Sequence, residues 1–285
     1  MAWIDLHLHS TCSDGAYAPA EVIAMAAEVG LAAAALADHD ALDGIAEAQQ
    51  AGQRLGIEVL SGVELSVVWN DLREIHLLGY GFDPQHPGLC AELDECRRYR
   101  MGRNGQILER VNDLLQEHGK APLESAAVQE RAQGTMGRPH IGMALVEAGY
   151  AESMDEAFNR YLVPCNVPKR DFAIDKAIEL LHAAGGVAVL AHPPFITRNL
   201  RRLEAIVEEF LPMGLDGIEA WNSGGSNDEI DNWITLARRK GLIVTGGSDF
   251  HGTQPNLEIG RGYGNLRIPY TCVDEIRAAL WRLNG

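Results

Sequence analysis

The stretch Trp3-Ile4-Asp5-Leu6-His7-Leu8-His9-Ser10 reads as a short apolar strand with two imidazoles near its end. Side chains of a strand repeat with period two, so His7 and His9 face the same side. Two neutral ring nitrogens converging from one stiff element make half of a transition-metal site. Asp14, in the loop that follows, is within reach of the same place. Strand-end histidines also serve as plain hydrogen-bonding groups, so the rest of the chain has to decide.

The same pattern recurs along the chain. Apolar residues 31–36 lead into Ala37-Asp38-His39-Asp40, and 57–60 into Ser61-Gly62-Val63-Glu64. Residues 74–80 form a further apolar run that contains His76. Later, 186–190 lead into Ala191-His192-Pro193-Pro194, 215–218 into Glu219-Ala220-Trp221-Asn222, and 242–245 into Gly246-Gly247-Ser248-Asp249-Phe250-His251. Helix-like segments separate most of these runs; the one over 19–29 opens with Pro19, which suits a first helical turn. The reading is seven strands, six with His, Asp or Glu at or just past the C-terminal end, which is where β/α barrels build active sites. Six of the ten histidines fall on these strands or strand ends, a concentration that favours a site over scattered structural histidines.

The expected fold is therefore α/β: a distorted seven-stranded (β/α)7 TIM-like barrel. Residues 88–172 interrupt it with helical spacing among many charges, and are read as an inserted helical subdomain that caps the substrate over the barrel mouth. The barrel domain is then 1–87 with 173–285. Arg97, Arg98, Arg100 and Arg103 read mainly as a solvated helical face in the insertion.

Composition excludes several classes. The formal net charge of -16 argues against sequence-independent binding of duplex DNA, which needs many phosphate-neutralising cations. The five cysteines, Cys12, Cys90, Cys96, Cys165 and Cys272, are odd in number and form no CxxC pair, so reduced thiols are expected. Cys12 lies near the histidines but has no thiolate-activating neighbour in sequence. The chain goes straight into a strand, with no leader-like h-region and no run of ~18 apolar residues. A cytoplasmic protein is expected; oligomeric state has no signature here.

Asp5-x-His7-x-His9-Ser10, Asp38-His39-Asp40, Gly62-x-Glu64, Ala191-His192-Pro193 and Ser248-Asp249-x-His251 together resemble the polymerase and histidinol phosphatase (PHP) family, in order and over nearly the whole chain. The resemblance implies a distorted β/α barrel, a trinuclear metal centre and phosphoesterase activity. Ala37 departs from the Thr that many members carry there, beside the ligand position. The insertion, with Gly137-Arg138-Pro139-His140, resembles the subgroup of 3',5'-nucleoside bisphosphate phosphatases and 5'-to-3' exoribonuclease-type enzymes. By motif, His7, His9, Glu64 and Asp249 would hold the first metal. Glu64 would bridge to a second, completed by His76 and His192, and Asp14, His39 and His251 would hold the third. Three divalent ions are implied, with manganese favoured by the family; iron and zinc suit the same donors. Asp5, Asp38 and Asp40 would orient imidazoles, whereas Glu219 reads equally well as closing the barrel end.

For phosphate ester hydrolysis, a metal-bridging hydroxide would attack phosphorus in line, with Asp249 in the catalytic set and His140 as a candidate proton donor to the leaving ribose oxygen. Cations placed to bind a second phosphate are Arg138, Lys169, Arg170, Arg198, Arg201 and Arg202, since guanidinium forks pair with phosphate bidentately. Ser10 joins them as a substrate contact. The expected reaction removes the 3'-phosphate of a 3',5'-bisphosphonucleotide to leave a nucleoside 5'-monophosphate, with short RNA trimmed from its 5' end as a second substrate. Competing readings are another small-molecule phosphatase of histidinol phosphatase type, a metal-dependent amidohydrolase, and a non-catalytic metal- or nucleic-acid-binding module. No duplex DNA and no membrane are expected as partners.

Overall fold

The computed structural model describes residues 2–132, 137–168 and 170–285. Its strands are β1 (Ile4–Leu8), β2 (Ala33–Leu36), β3 (Glu58–Leu60), β4 (Gly62–Trp69), β5 (Leu72–Tyr80), β6 (Val187–Leu190), β7 (Gly217–Asn222) and β8 (Ile243–Gly247). The helices are α1 (Pro19–Glu28), α2 (Ile45–Leu55), α3 (Pro87–Glu117), α4 (Ser125–Ala132), α5 (Arg138–Glu147), α6 (Met154–Ala157), α7 (Ile174–Ala183), α8 (Pro193–Ile196), α9 (Leu200–Phe210), α10 (Asn227–Arg239) and α11 (Thr271–Asn284). Two compact units result: Met1–Ala91 with Asp171–Gly285, and Glu92–Arg170.

The first unit is a mixed α/β body. β1, β2 and β3 form a parallel sheet, with Ile4 opposite Ala33 and Ala33 opposite Glu58. β1, β2, β6 and β8 are buried along their whole length, as expected of strands covered on both faces. Val22, Ile23 and Ala26 of α1 and Ala48 and Ala51 of α2 close one face over Leu8, Ala34 and Leu36. Pro19 opens α1, and Gly56, at φ 74°, ends α2 in the left-handed conformation.

The remaining strands form a second sheet in the order β4-β5-β6-β7-β8. Here the structure corrects the expected count of seven. Residues 62–69 are a strand of their own, paired antiparallel with β5 so that Glu64 faces Leu78 and Ser66 faces His76. Glu64 is thus inside a strand rather than past the end of one. β5 also runs antiparallel to β6, and only β6-β7-β8 are parallel. Uniform β/α alternation fails because the tight turn at Asn70 (φ 50°) folds the chain straight back into the next strand, with no helix between. Nor do the ladders close into a barrel among the described residues. The two sheets meet through single bridges instead, Leu8 with Phe250 and His39 with Glu64.

The second unit is helical. Ile107, Val111 and Leu115, each four residues apart on α3, pack with Val128, Ile141, Leu145, Tyr161 and Leu162. Arg103 is not on a solvated face: it is buried, and its guanidinium donates to the Val167 carbonyl (2.7 Å) and Asn166 Oδ1 (2.8 Å).

Candidate metal centre

β1 delivers His7 and His9, both fully buried, to one side of the strand. β4 brings Glu64 from across the sheet junction, held by Asp40 N–H donating to its carbonyl (2.9 Å) and its own N–H donating to Asp38 O (3.3 Å). β8 can approach β1 only because Gly247 has no side chain: a Cβ there would lie 2.1 Å from His7 Cβ. The segment beyond carries Asp249, whose N–H donates to His7 O (2.9 Å), and His9 N–H donates to Phe250 O (2.9 Å). Three non-glycine residues of this region, Asp40, His192 and Asp249, have positive φ (49°, 22° and 59°). Such strain persists where the surroundings impose it and is common at active sites.

The side chains form three contiguous groups. His7, His9, Glu64 and Asp249 present ligand-type atoms within 4.8 Å of one another; so do His9, Asp14, His39 and His251, and likewise His39, Glu64 and His76. Glu64 is the hub. Its Oε2 lies 3.1–3.3 Å from nitrogens of His39, His7 and His9. Its Oε1 lies 2.7 Å from His76 Nδ1 and 2.8 Å from His192 Nε2. His39 faces two ways, with Nδ1 toward Glu64 and Nε2 3.9 Å from Asp14. Five of the positions expected from motif approach the Glu64 carboxylate directly; beside them, Asp14 and Asp249 adjoin His9, and His251 adjoins Asp14.

The donor set fits a metal. Buried polar atoms are nearly always hydrogen-bonded, yet His7 Nε2, both nitrogens of His9, His39 Nδ1, His192 Nδ1 and Glu64 Oε2 have no such partner. Close approach without hydrogen-bond geometry is what ligands arranged around a cation show. Imidazole plus carboxylate, without thiolate, suits manganese, iron or zinc. Burial pushes the Cys12 thiol up, and Cys12 belongs to none of the groups.

Charge reinforces the arrangement. Burial opposes a charged His7, but the carboxylates of Glu219, Glu64 and Asp249 overcome it and hold its pKa well above the usual imidazole range. His9 is raised to about 9 against the same burial by Asp249 and Glu64. His39 goes the other way, to about 3, because burial outweighs Glu64. Burial would raise Glu64, and the imidazoles of His39, His7 and His76 hold it well below the carboxylate range. Asp249 and Asp14 are likewise lowered, each against burial, chiefly by His7 and His9 for the former and His251 and His39 for the latter.

The surrounding acids act differently from expectation. Asp5 accepts backbone N–H groups of His7 (3.2 Å), Ser248 (2.9 Å) and Gly260 (2.7 Å), tying β1 to β8 and the loop beyond. Burial pushes it up to about 6. Asp38 accepts the N–H and hydroxyl of Ser10 and the hydroxyl of Ser13, each at 2.7 Å, and so braces the loop that carries Asp14. Asp40 accepts Ser66 N–H at 2.8 Å. Glu219 also meets an imidazole, 2.8 Å from His7 Nδ1. Its role was not readable from sequence, because its register against His7 depends on β7 and β1 meeting in space.

Three of the expected substrate contacts, Ser10, Arg170 and Arg198, have partners within the chain. Ser10 is fully buried and its hydroxyl donates to Asp38. Arg170 pairs with Glu92 and Glu95. Arg198 pairs with both oxygens of Glu229 (2.8 Å each) and with Gly224 O (2.9 Å). Both guanidiniums are held in ion pairs with neighbouring carboxylates. Arg201 and Arg202 are exposed in the first turn of α9. Arg138 and His140 lie in the first turn of α5 in the helical unit; Arg138 packs over Phe158, and His140 Nδ1 accepts Gly137 N–H (2.9 Å). Lys169 lies outside the described residues. Unanticipated is Phe195, 64% exposed, its ring edge-on to His192 at 5.1 Å. Only its position three residues after His192 could have flagged it.

A buried cluster of imidazoles and carboxylates without thiolate defines a metal-dependent hydrolase type of site, and comparison with known proteins gives the family. The PHP domain model matches residues 5–162, and the chain belongs to that family. It is 35% identical to a 3',5'-nucleoside bisphosphate phosphatase of Chromobacterium violaceum, over 95% of this chain and 94% of that protein. It is also 35% identical to a 5'-3' exoribonuclease of Haemophilus influenzae, over 90% and 93% of the two chains. A solved structure from Bifidobacterium adolescentis, provisionally named a metal-dependent phosphoesterase, superposes with a TM-score of 0.81 at 31% identity, covering 97% of this chain and 96% of that one.

Proposed function

We propose that this metal-dependent phosphatase hydrolyses the 3'-phosphate of 3',5'-bisphosphonucleotides, releasing nucleoside 5'-monophosphate and phosphate, and trims short RNA from the 5' end. The observation that carries this reading is the convergence of orphaned imidazole nitrogens on Glu64. The names of the relatives support a nucleotide or RNA substrate. His7, His9, Glu64 and Asp249 would hold one ion, Glu64, His76 and His192 a second, and Asp14, His39 and His251 a third; manganese is the favoured metal. When bound, such ions supply Lewis-acid stabilisation of phosphoryl oxygens and lower the pKa of water.

The chain's own residues set the rest. Glu64 and Asp249, ionised despite burial, keep the five imidazoles around Glu64 oriented inward. His140 is assigned the proton that the leaving ribose oxygen needs. Arg138, Lys169, Arg170, Arg198, Arg201 and Arg202 are assigned the second phosphate, and the insertion, 88–172, the recognition of the substrate. A cytoplasmic location accords with five free cysteines; among the described residues no helix is long and apolar enough to cross a membrane. Against the amidohydrolase reading, no lysine is among the buried polar residues of the described part of the chain.

Phosphate release from a panel tests this: 3',5'-bisphosphoadenosine, adenosine monophosphates, histidinol phosphate, an aryl phosphate and a short 5'-phosphorylated RNA, with and without chelator. Turnover of the bisphosphate well above the others, abolished by chelation and restored by manganese, is expected. Preference for histidinol phosphate, or activity only on amides, would replace the reading.

A further inference from the structure

Glu219 is fully buried on β7, and three donors from three segments converge on its carboxylate. Oε1 is 2.8 Å from His7 Nδ1. Oε2 accepts the backbone N–H of His192 at 2.7 Å and Asn222 Nδ2 at 3.0 Å. His7 belongs to the group with His9 and Asp249, whereas His192 sits with His76 on the other oxygen of Glu64. One carboxylate therefore touches the His7 ring of one group and the backbone of His192, whose ring shares Glu64 Oε1 with His76 of another.

We propose that Glu219 is a positioning residue that couples these two subsites, so that the loss of its carboxylate weakens metal binding at both. The inference rests on the metal reading given above. At His7, an acceptor on Nδ1 places the ring proton there and leaves Nε2, which has no hydrogen-bond partner, turned toward Glu64 at 3.2 Å. At His192 the backbone has φ 22° and ψ 72°, outside the regions a residue with a Cβ prefers. The short bond from its N–H to Glu219 is one of the contacts that impose that conformation, and the conformation aims Nε2 at Glu64 Oε1. Three donors require an acceptor-only group. Glutamine has nearly the same shape but only one acceptor oxygen, and its NH2 would face a donor. Either His7 or His192 would then lose its anchor, and the group left unpaired would disturb the other.

The test compares wild type, Glu219→Gln and Glu219→Asp. Each is stripped with chelator, titrated with manganese while free ion is monitored, and then desalted for metal analysis; circular dichroism of the stripped proteins reports folding. The expected result for Glu219→Gln is a loss of about 10–100-fold in affinity at two of the sites, so that two equivalents are missing after desalting, with the stripped protein still folded. Glu219→Asp keeps the charge and should lose less. A Glu219→Gln protein that keeps wild-type equivalents, or loses only one, would overturn the coupling. If that variant does not fold, Glu219→Asp decides by the same measure: affinity weakened at both sites supports the coupling, and affinity weakened at one or neither removes it. If wild type itself retains fewer than two ions, the metal reading falls and the coupling with it.

Discussion

Glu64 is the residue whose chemistry organises the site. Five imidazoles approach its two oxygens, and against burial this surrounding holds its pKa well below the carboxylate range. Glu64→Gln should reduce kcat/KM by more than the roughly 100-fold that losing an outer contact costs. It should also destabilise the metal-free protein by about 3–5 kcal/mol, because charged imidazoles would be left without a buried partner; steady-state kinetics and denaturant melts read the two effects. His9 gives a pH dependence. Its folded pKa of about 9 exceeds its ordinary 6.5, so the stabilisation is complete below 6.5 and is lost as pH rises through 9. The melting temperature of chelator-treated protein should fall between pH 7 and 9.5, while manganese-loaded protein, with that proton displaced, should not follow it. Parallel curves would remove the proton from His9. The histidines were legible in the sequence because residue type and strand end coincide. The tasks of Asp5, Asp38 and Glu219 were not, because a carboxylate's partner is fixed by contacts distant in the chain.

At the scale of elements, the strand over 62–69 was the one misread. Val63, Leu65 and Val67 alternate with Glu64 and Ser66, a period-two pattern, but the polar end of β3 runs into it after only Ser61. Local pattern does not separate one strand's end from the next one's start, and pairing with β5 does. Packing between β1 and β8 is equally invisible in sequence. Gly247→Ala would press a methyl onto His7, with Cβ, N and Cα all within 2.7 Å. A loss of at least the 1–3 kcal/mol typical of overpacking is expected, together with weakened manganese binding. Gly102→Ala is the contrast, since nothing lies within 4 Å of that Cβ on α3. It should gain about 0.5–1 kcal/mol from helix preference and leave metal binding unchanged. Thermal melts with metal analysis distinguish the pair.

For the whole molecule, the alternation of apolar runs with helical segments was enough to reveal an α/β body and a helical interruption. It was not enough to reveal two sheets, because antiparallel β4-β5-β6 pairing is decided by a tight turn and by long-range registry. The assignment of Arg138 to substrate recognition is tested by substitution. Arg138→Ala should lower kcat/KM for 3',5'-bisphosphoadenosine by about 10–100-fold, the worth of a charge-assisted hydrogen bond, and leave an aryl phosphate nearly unaffected; equal losses on both would remove Arg138 from second-phosphate recognition. The most direct measurement is the identity of the product formed from 3',5'-bisphosphoadenosine by manganese-loaded protein, followed by phosphorus NMR. Adenosine 5'-monophosphate and inorganic phosphate, formed only with metal, are the expected products. Adenosine 3'-monophosphate, or undiminished turnover in excess chelator, would contradict a metal-dependent 3'-phosphatase.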